Sequence, residues 1–169
     1  MAAEQTRYCY LGTPLGQGMA SAENGAVTGF WFVGQNYFPQ KAEDWIEDAD
    51  YPVFSSLRNW FDRYFAGEKP LPDFPLAPQG TAFQKAVWDI LLAIPHGKLS
   101  TYGAIAKQLN TRPGSPATSA RAVGGAVGHN PISVLIPCHR VVGSTGKLTG
   151  YAGGLEKKQA LLRLEGATL

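Results

Sequence analysis

The sequence lacks the features that define several large classes of protein. It has only two cysteines, Cys9 and Cys138, which lie far apart and form no CxxC pair. A disulfide scaffold and a structural zinc site are therefore not expected. There is no run of about 18 apolar residues and no basic segment followed by an apolar run near the start, so we expect no membrane span and no signal peptide. These absences predict a cytoplasmic protein, or a nuclear one in a eukaryote, that is not secreted and has no membrane partner.

The sequence also has a small net charge and no pattern typical of a phosphate-binding loop. The formal net charge is only +2, whereas a strongly basic face is the usual footprint of nucleic-acid binding. Any contact with DNA would therefore be local. The glycine pairs Gly124-Gly125 and Gly153-Gly154 match neither the GxGxxG nor the Walker pattern. We interpret them as turns or close-contact sites.

The first part of the chain predicts a small β-rich lobe with one helix. Asn24-Gly25 is typical of a hairpin turn. Residues 27–33 are aromatic and β-branched and predict a strand, and residues 52–65 predict a helix with a proline in its first turn. The four prolines in residues 66–80 exclude a helix and indicate an extended linker. We therefore predict an N-terminal lobe with linker, residues 1–78, and a C-terminal lobe, residues 79–169.

The second lobe is predicted to be mostly helical. Thr81-Ala82-Phe83-Gln84 is a capping-box pattern that begins a helix. The apolar stripe predicted for that helix comprises Phe83, Val87, Ile90, Leu91 and Ile94. Residues 102–109 and 117–127 predict a helix-turn-helix, an arrangement found both in DNA-binding proteins and in ordinary packing units. Residues 132–136 predict a short buried strand or an extended run, and residues 155–165 predict the last helix. The predicted fold class is α/β in the α+β sense, a β-rich lobe joined to a helical lobe.

One cysteine stands next to a histidine. An imidazole near Cys138 would help to convert the thiol to the nucleophilic thiolate, and His139 is adjacent. The alternative is a buried structural cysteine beside an ordinary histidine. Glu165 shares a helix face with apolar residues and lies at a helix C-terminus, where the helix dipole disfavours a carboxylate. It either has a cationic partner such as a histidine or is solvated.

Three further side chains have two interpretations each. Arg121 stands on a helix of otherwise small residues, where it would either probe a DNA groove or extend from a tightly packed helix into solvent. Tyr102 and Tyr151 would either stack on a base or fill the core.

Taken together, these segments resemble the O6-alkylguanine-DNA alkyltransferases, also called methylated-DNA–protein-cysteine methyltransferases. The resemblance covers nearly all of residues 80–166, and the segment Pro137–Val142 with both flanks is highly specific to that family. The other matching segments are Gly80–Gln84, Val87-Trp88, Ile94–Gly97, Tyr102-Gly103, Ala120–Gly124, Asn130-Pro131 and Gly150–Leu155.

The resemblance implies roles for individual residues. Cys138 is implied to be the alkyl acceptor, His139 to take its proton through a water molecule, and Glu165 to orient His139. Asn130 would tie the active-site segment to the recognition helix, and Tyr102 would donate a hydrogen bond or a proton to the guanine.

The resemblance also implies how DNA is bound. Arg121 would enter the duplex where the damaged nucleotide is flipped out. Tyr151 and the backbone of Ala152 would line the base pocket. The positions that match backbone contacts to DNA are Gln84, Gly103 and Ser144, with Tyr102 also at the DNA surface.

The implied reaction is the direct reversal of DNA damage. An alkyl group would pass from O6-alkylguanine, and from O4-alkylthymine, in double-stranded DNA to Cys138. The product is a thioether without an easy leaving group, so we expect one transfer per molecule, by a monomer that needs no metal and no organic cofactor.

Some features depart from the family pattern. The turn at residues 110–119 is longer than usual, which affects the angle at which the Arg121 helix meets DNA. Ala152 lacks the hydroxyl that some members carry. No cysteine-rich metal-sensing domain is present, which disfavours the variant that activates transcription, and Cys138 excludes the branch without an acceptor cysteine.

Two other functions stay open on the residues alone. A thiol hydrolase that uses Cys138 and His139 would turn over repeatedly on an ester or a peptide. A helix-turn-helix DNA binder without enzymatic activity would tolerate loss of the Cys138 thiol.

Overall fold

The computed structural model describes residues 4–114 and 117–167. They form a mixed α+β fold of two compact units, which confirms the predicted fold class. The first unit extends to Gln79 and also includes Pro131–Ser133, which the sequence analysis had placed in the second lobe. The second unit contains Gly80–Asn130 and the chain from Val134 onward. Within the described ranges, no helix is long and apolar enough to cross a membrane.

The first unit is built on a four-stranded sheet. Its strands are β1 (Arg7–Thr13), β2 (Gly16–Glu23), β3 (Ala26–Phe32) and β4 (Ile46–Glu47), in the order β3-β2-β1-β4. The first three strands are antiparallel, and β4 is parallel to β1. Asn24 and Gly25 have φ values of +51° and +77°, the left-handed conformation of a two-residue hairpin. The predicted hairpin is therefore confirmed.

One helix, α1 (Pro52–Phe65), completes this unit and has the predicted bounds. Its proline occupies the first turn, where no backbone N–H is needed. The linker after it is anchored by Trp60, whose Nε1 donates to the carbonyl of Pro70 at 2.9 Å. The side chains that α1 buries are Val53, Phe54, Leu57, Trp60, Phe61 and Tyr64.

The prediction of a strand over residues 132–136 is wrong. Only Ile132 forms a bridge, to Phe30 of β3. The residues that follow turn instead, and Val134 has a φ of +72°, which a β-branched residue adopts only under strain. The run is apolar because it is buried, and burial alone does not distinguish a strand from a turn.

The second unit begins with α2 (Ala82–Leu92). The predicted capping box is present: the Thr81 hydroxyl accepts from the Gln84 N–H at 3.1 Å, and the Gln84 side chain accepts from the Thr81 N–H at 3.0 Å. Phe83, predicted to lie on the buried stripe, is 37% exposed because it lines an open apolar cleft rather than the core. The residues that α2 buries are Val87, Trp88, Ile90 and Leu91.

The helix-turn-helix consists of α3 (Tyr102–Asn110) and α4 (Ala120–Gly128). The second helix starts later than the predicted residue 117 because Ser119 is its N-cap, accepting from the Ala122 N–H at 3.1 Å. Across the turn, the Asn110 side chain accepts from the Thr118 N–H at 2.7 Å and donates to its carbonyl at 3.1 Å. Two residues of the long predicted turn, 115 and 116, lie outside the described residues.

Two short strands and a last helix complete this unit. Strands β5 (Ser100–Thr101) and β6 (Val141–Val142) pair in parallel. The last helix is α5 (Leu155–Leu164), with Glu165 as its C-cap, and Gly166 ends it at a φ of +73°.

Candidate active site

Cys138 begins a single turn of 3-10 helix, Cys138–Arg140. Its side chain is only 5% exposed, and this burial raises the pKa of the thiol above the ordinary value. Two neighbours act in the opposite sense, because a hydrogen bond from the Asn130 side chain and the positive charge of Lys158 both favour the thiolate. The resting thiol is therefore protonated, yet stabilising groups for its thiolate are already in place.

The segment that leads to Cys138 is held by Asn130. This residue follows α4 directly, is buried, and donates through Nδ2 to the carbonyl of Ile136 at 2.7 Å. Between the two, the positive φ of Val134 reverses the chain. The end of α4 and the cysteine segment are thus tied together through a buried amide.

His139 and Glu165 form a buried hydrogen-bonded pair. His139 Nε2 lies 2.7 Å from Glu165 Oε2, and both side chains are fully buried. Burial lowers the pKa of His139, although the carboxylate opposes this effect. A neutral ring that donates from Nε2 to the carboxylate carries a lone pair on Nδ1. That atom has no hydrogen-bond partner among the described residues, so the ring presents a basic nitrogen.

Arg140 is a member of this site that the sequence analysis did not assign. Its Nε donates to Glu165 Oε1 at 2.7 Å, and its Nη2 donates to Glu165 Oε2 at 2.9 Å. The third nitrogen donates to the carbonyl of Ile94 at 2.6 Å. This two-point ion pair holds the Glu165 carboxylate in place, and the guanidinium lowers the pKa of His139 further. A buried carboxylate needs several donors, which was the available signal.

Lys158 is the second residue that the sequence analysis missed. Its side chain is fully buried in α5, and Nζ donates to the carbonyls of Val141 at 2.6 Å and Thr149 at 3.0 Å. Burial lowers its pKa to about 8, and a thiolate at Cys138 would oppose this shift. The available signal was spacing, because Lys158 precedes the buried Leu161 by one helical turn.

Tyr102 is brought to the same place by the pairing of β5 with β6. It directly follows β5, whose partner strand begins three residues after Cys138. Burial raises the pKa of Tyr102, as would a thiolate at Cys138, so the phenol is protonated. Its Oη accepts a hydrogen bond of 2.9 Å from the hydroxyl of Thr149, which lowers that pKa in part.

Four residues are predicted to contact the DNA backbone or groove. Three of them lie in the first turn of a helix, and one lies in a loop. Arg121 and Gly103 are the second residues of α4 and α3, and both are exposed. Ser144 is exposed in the loop after β6. Gln84 is half-buried, and its Oε1 is occupied by the capping box with Thr81.

The two residues predicted for the base pocket, Tyr151 and Ala152, are half-buried in the loop before α5. The same loop, residues 143–154, also contains Thr149, whose hydroxyl donates a hydrogen bond to Tyr102. The described part of the chain contains no group of three or more His, Cys, Asp or Glu side chains that could hold a metal ion.

A buried thiol, a neutral imidazole and a carboxylate, set beside a helix-turn-helix, define a protein equipped for thiol-based group transfer. Comparison with known proteins gives the family. The pattern described as "6-O-methylguanine DNA methyltransferase, DNA binding domain" matches residues 82–167.

Relatives match over most of their length. The methylated-DNA–protein-cysteine methyltransferase of Haemophilus influenzae is 43% identical over 159 residues, which cover 94% of this chain and 85% of that protein. The protein of that name from Mycobacterium tuberculosis strain H37Rv is 42% identical, over 94% of this chain and 91% of its own. A crystal structure of Mycobacterium tuberculosis OGT in complex with DNA superposes with a TM-score of 0.82 at 40% identity, over 95% of this chain and 92% of that one.

The chain belongs to the family of methylated-DNA–protein-cysteine methyltransferases. The resemblance stated from the sequence is therefore confirmed.

Proposed function

We propose that this protein repairs DNA by direct reversal, transferring an alkyl group from the O6 atom of guanine to the sulfur of Cys138. The observation that carries the proposal is the buried hydrogen bond between Glu165, at the end of α5, and His139, which lies in the same short turn as the only cysteine of the DNA-binding-domain match. Relatives named for this activity are 42% and 43% identical over nearly the whole chain.

The transfer begins with the thiol proton. Neutral His139 accepts it at Nδ1, through one water molecule, and becomes an imidazolium that the Glu165 carboxylate stabilises. The thiolate left on Cys138 is stabilised by Asn130 and by the ammonium of Lys158. Such activation at the moment of attack suits a thiol whose resting pKa is raised.

The bond change itself needs no cofactor. The sulfur forms a bond to the alkyl carbon, the bond between that carbon and O6 breaks, and its electron pair stays with the guanine. Tyr102, protonated and bound to Thr149, gives a proton to the departing base. The thioether has no easy leaving group, so each molecule reacts once.

The lesion must leave the base stack before the thiol can reach it, at a cost of a few kcal/mol. We propose that α4 approaches double-stranded DNA with Arg121 entering the vacated space, since its other residues are small. Gln84, Gly103 and Ser144 would contact the backbone, and Tyr151 with the backbone of Ala152 would hold the extruded base. The lesion class extends to O4-alkylthymine, and the acting species is a monomer.

The test is mass spectrometry after incubation with a duplex that carries one O6-methylguanine. We expect one added methyl group per molecule, located on the peptide with Cys138, while the peptide with Cys9 is unchanged. The Cys138→Ser variant is the control and should stay unmodified. Unmodified Cys138 after complete incubation would contradict the proposal and favour a DNA binder without activity, and repeated turnover on an ester would favour a thiol hydrolase.

A further inference from the structure

Thr149 is held by contacts on three of its groups. Its carbonyl oxygen accepts from Lys158 Nζ at 3.0 Å. Its methyl group faces Gly143 so closely that a Cβ added there would lie 3.3 Å from Thr149 Cγ2. Its hydroxyl donates to Tyr102 Oη at 2.9 Å. The backbone and the methyl group are thus both fixed, and the hydroxyl is directed to Tyr102.

The direction of this hydrogen bond determines what Tyr102 can do. A phenol carries one proton and can also accept. Because Thr149 donates, Tyr102 uses its oxygen as the acceptor and keeps its own proton for another partner. A hydrogen bond donated to a phenol oxygen also stabilises the phenolate, which makes the phenol a stronger acid.

The ring of Tyr102 faces the backbone of α4 at Gly124. A Cβ added to Gly124 would lie 3.7 Å from Cδ1 of Tyr102, so the absence of a side chain there leaves room beside the ring. At the phenol oxygen, the contact is the hydroxyl of Thr149. The O–H bond of Tyr102 is therefore left available for another partner.

We propose that Thr149 is a positioning residue for alkyl transfer, which aims the O–H of Tyr102 at the damaged base and supports the phenol oxygen as its proton leaves. The inference rests on the proposed function, in which Tyr102 is the proton donor.

The two protons that move during the transfer both come from side chains of the site. The base gains the Tyr102 proton as its carbon–O6 bond breaks, and His139 holds the proton from the thiol. Proton return through solvent then restores both side chains. At the moment of transfer, the hydroxyl of Thr149 is the group that faces the developing negative charge on Tyr102.

Two substitutions separate the hydroxyl from the methyl group. Thr149→Val keeps the methyl group that faces Gly143 and removes the donor, whereas Thr149→Ser keeps the donor and removes the methyl group. At saturating O6-methylguanine duplex, we expect the single-turnover rate of Thr149→Val to fall about threefold to tenfold, the usual effect of one hydrogen bond. Thr149→Ser should stay within about twofold of the wild type. The Kd for DNA should be unchanged in both variants.

A double-variant comparison tests whether Thr149 acts through Tyr102. In a Tyr102→Phe background, Thr149→Val should cause no further loss of rate, because the acceptor oxygen is already gone. A spectroscopic measurement tests the same hydrogen bond without measuring the transfer rate. In protein labelled with ¹³C at the tyrosine Cζ, the signal missing from Tyr102→Phe belongs to Tyr102. Thr149→Val should move that signal, and Thr149→Ser should leave it in place.

The outcomes that overturn the proposal are distinct. A slower Thr149→Ser than Thr149→Val would mean that packing, not the hydrogen bond, is important. Thr149→Val at the wild-type rate, with Tyr102→Phe slow, would remove the role of Thr149 alone. Tyr102→Phe at the wild-type rate would remove the proton-donor role of Tyr102 and this inference with it, while methylation of Cys138 would still support the proposed function.

Discussion

The two cysteines are alike in the properties most often used to recognise a reactive thiol. Cys9 is 1% exposed and Cys138 is 5% exposed. Burial is the largest influence on the pKa of both, and it raises both. A cation near each thiol acts in the opposite direction, Arg58 at Cys9 and Lys158 at Cys138. By exposure and by pKa direction, neither cysteine stands out as the nucleophile.

The difference lies in the groups that can accept a proton. Cys9 lies within β1, where it pairs with Ala20, and the Arg58 beside it is a donor that also binds the carbonyl of Ala49. A guanidinium cannot take a proton. Cys138 adjoins a neutral imidazole with a lone pair on Nδ1. In the proposed mechanism, the thiol that reacts is therefore distinguished by a nearby uncharged base and not by a low resting pKa.

The largest expected effect comes from removing that base. His139→Gln keeps an N–H group for Glu165 but has no basic nitrogen. We expect the single-turnover rate on O6-methylguanine duplex to fall about 100-fold to 10,000-fold, the range for general-base loss. Cys9→Ala in the same assay should change the rate less than about twofold, since the charged groups that act on Cys9 are a guanidinium and two carboxylates, with no neutral imidazole among them.

Thermal melting and DNA affinity of His139→Gln serve as controls for folding and binding. If its rate stayed within about tenfold of the wild type, the base would not be what distinguishes Cys138 from Cys9.

The next-largest effect concerns the pH at which His139 becomes protonated and can no longer accept the thiol proton. In the proposed mechanism transfer requires neutral His139, so we expect the rate to fall as pH drops through the pKa of His139. Arg140 lowers that pKa and Glu165 raises it. Arg140→Gln should therefore move the acid limb of the rate profile to higher pH, and Glu165→Gln should move it to lower pH.

The plateau rate of Glu165→Gln should also fall roughly 10-fold to 100-fold, because a charged hydrogen bond to the base is lost. Rate profiles measured from pH 5 to 8 check both variants. Shifts of the same sign in the two variants would show that Glu165 and Arg140 do not act through the charge of His139.

The predictable parts of this fold follow from signals that are local in sequence. The Asn24-Gly25 turn, the proline that starts α1 and the capping box of α2 each determine their element through neighbouring residues. The segment at residues 132–136 was mispredicted because its backbone partner, Phe30, is a hundred residues away. Apolar composition predicts that a segment is buried, but not which backbone groups it meets.

The site residues that were predicted differ in the same way from those that were missed. His139 was suggested by its neighbour Cys138, and Glu165 by its unfavourable position at a helix end. Arg140 and Lys158 each bind main-chain carbonyls, of Ile94 in the first case and of Val141 in the second. A carbonyl has no residue type, so the sequence could indicate a needed donor or a buried position but not which carbonyls these two side chains bind. Thr149 was missed for a related reason, because its acceptor depends on a loop conformation.

The smallest expected effect concerns the cation beside Cys138, which, unlike the guanidinium beside Cys9, can lose its proton near neutral pH. The pKa of Lys158 is lowered to about 8 in the folded protein, from 10.5. Below about 8, the folded chain carries the cost of a buried ammonium. Between about 8 and 10.5, the folded Lys158 is neutral while the unfolded one still binds a proton, so stability rises with pH.

Lys158→Met removes this contribution. Its loss also leaves the pKa of Cys138 higher in the folded state, which lowers the stability of the variant as pH rises. Both effects have the same sign. Whatever the Tm difference at pH 7.5, it should therefore change in favour of the wild type by at least about 2 °C by pH 9.5. The matched control is Lys157→Met, a neighbouring lysine on α5 that is only partly buried, for which we expect a constant difference. A constant Tm difference for Lys158→Met as well would mean that the ammonium beside Cys138 does not titrate in this range, and the two cysteines would then differ in their base alone.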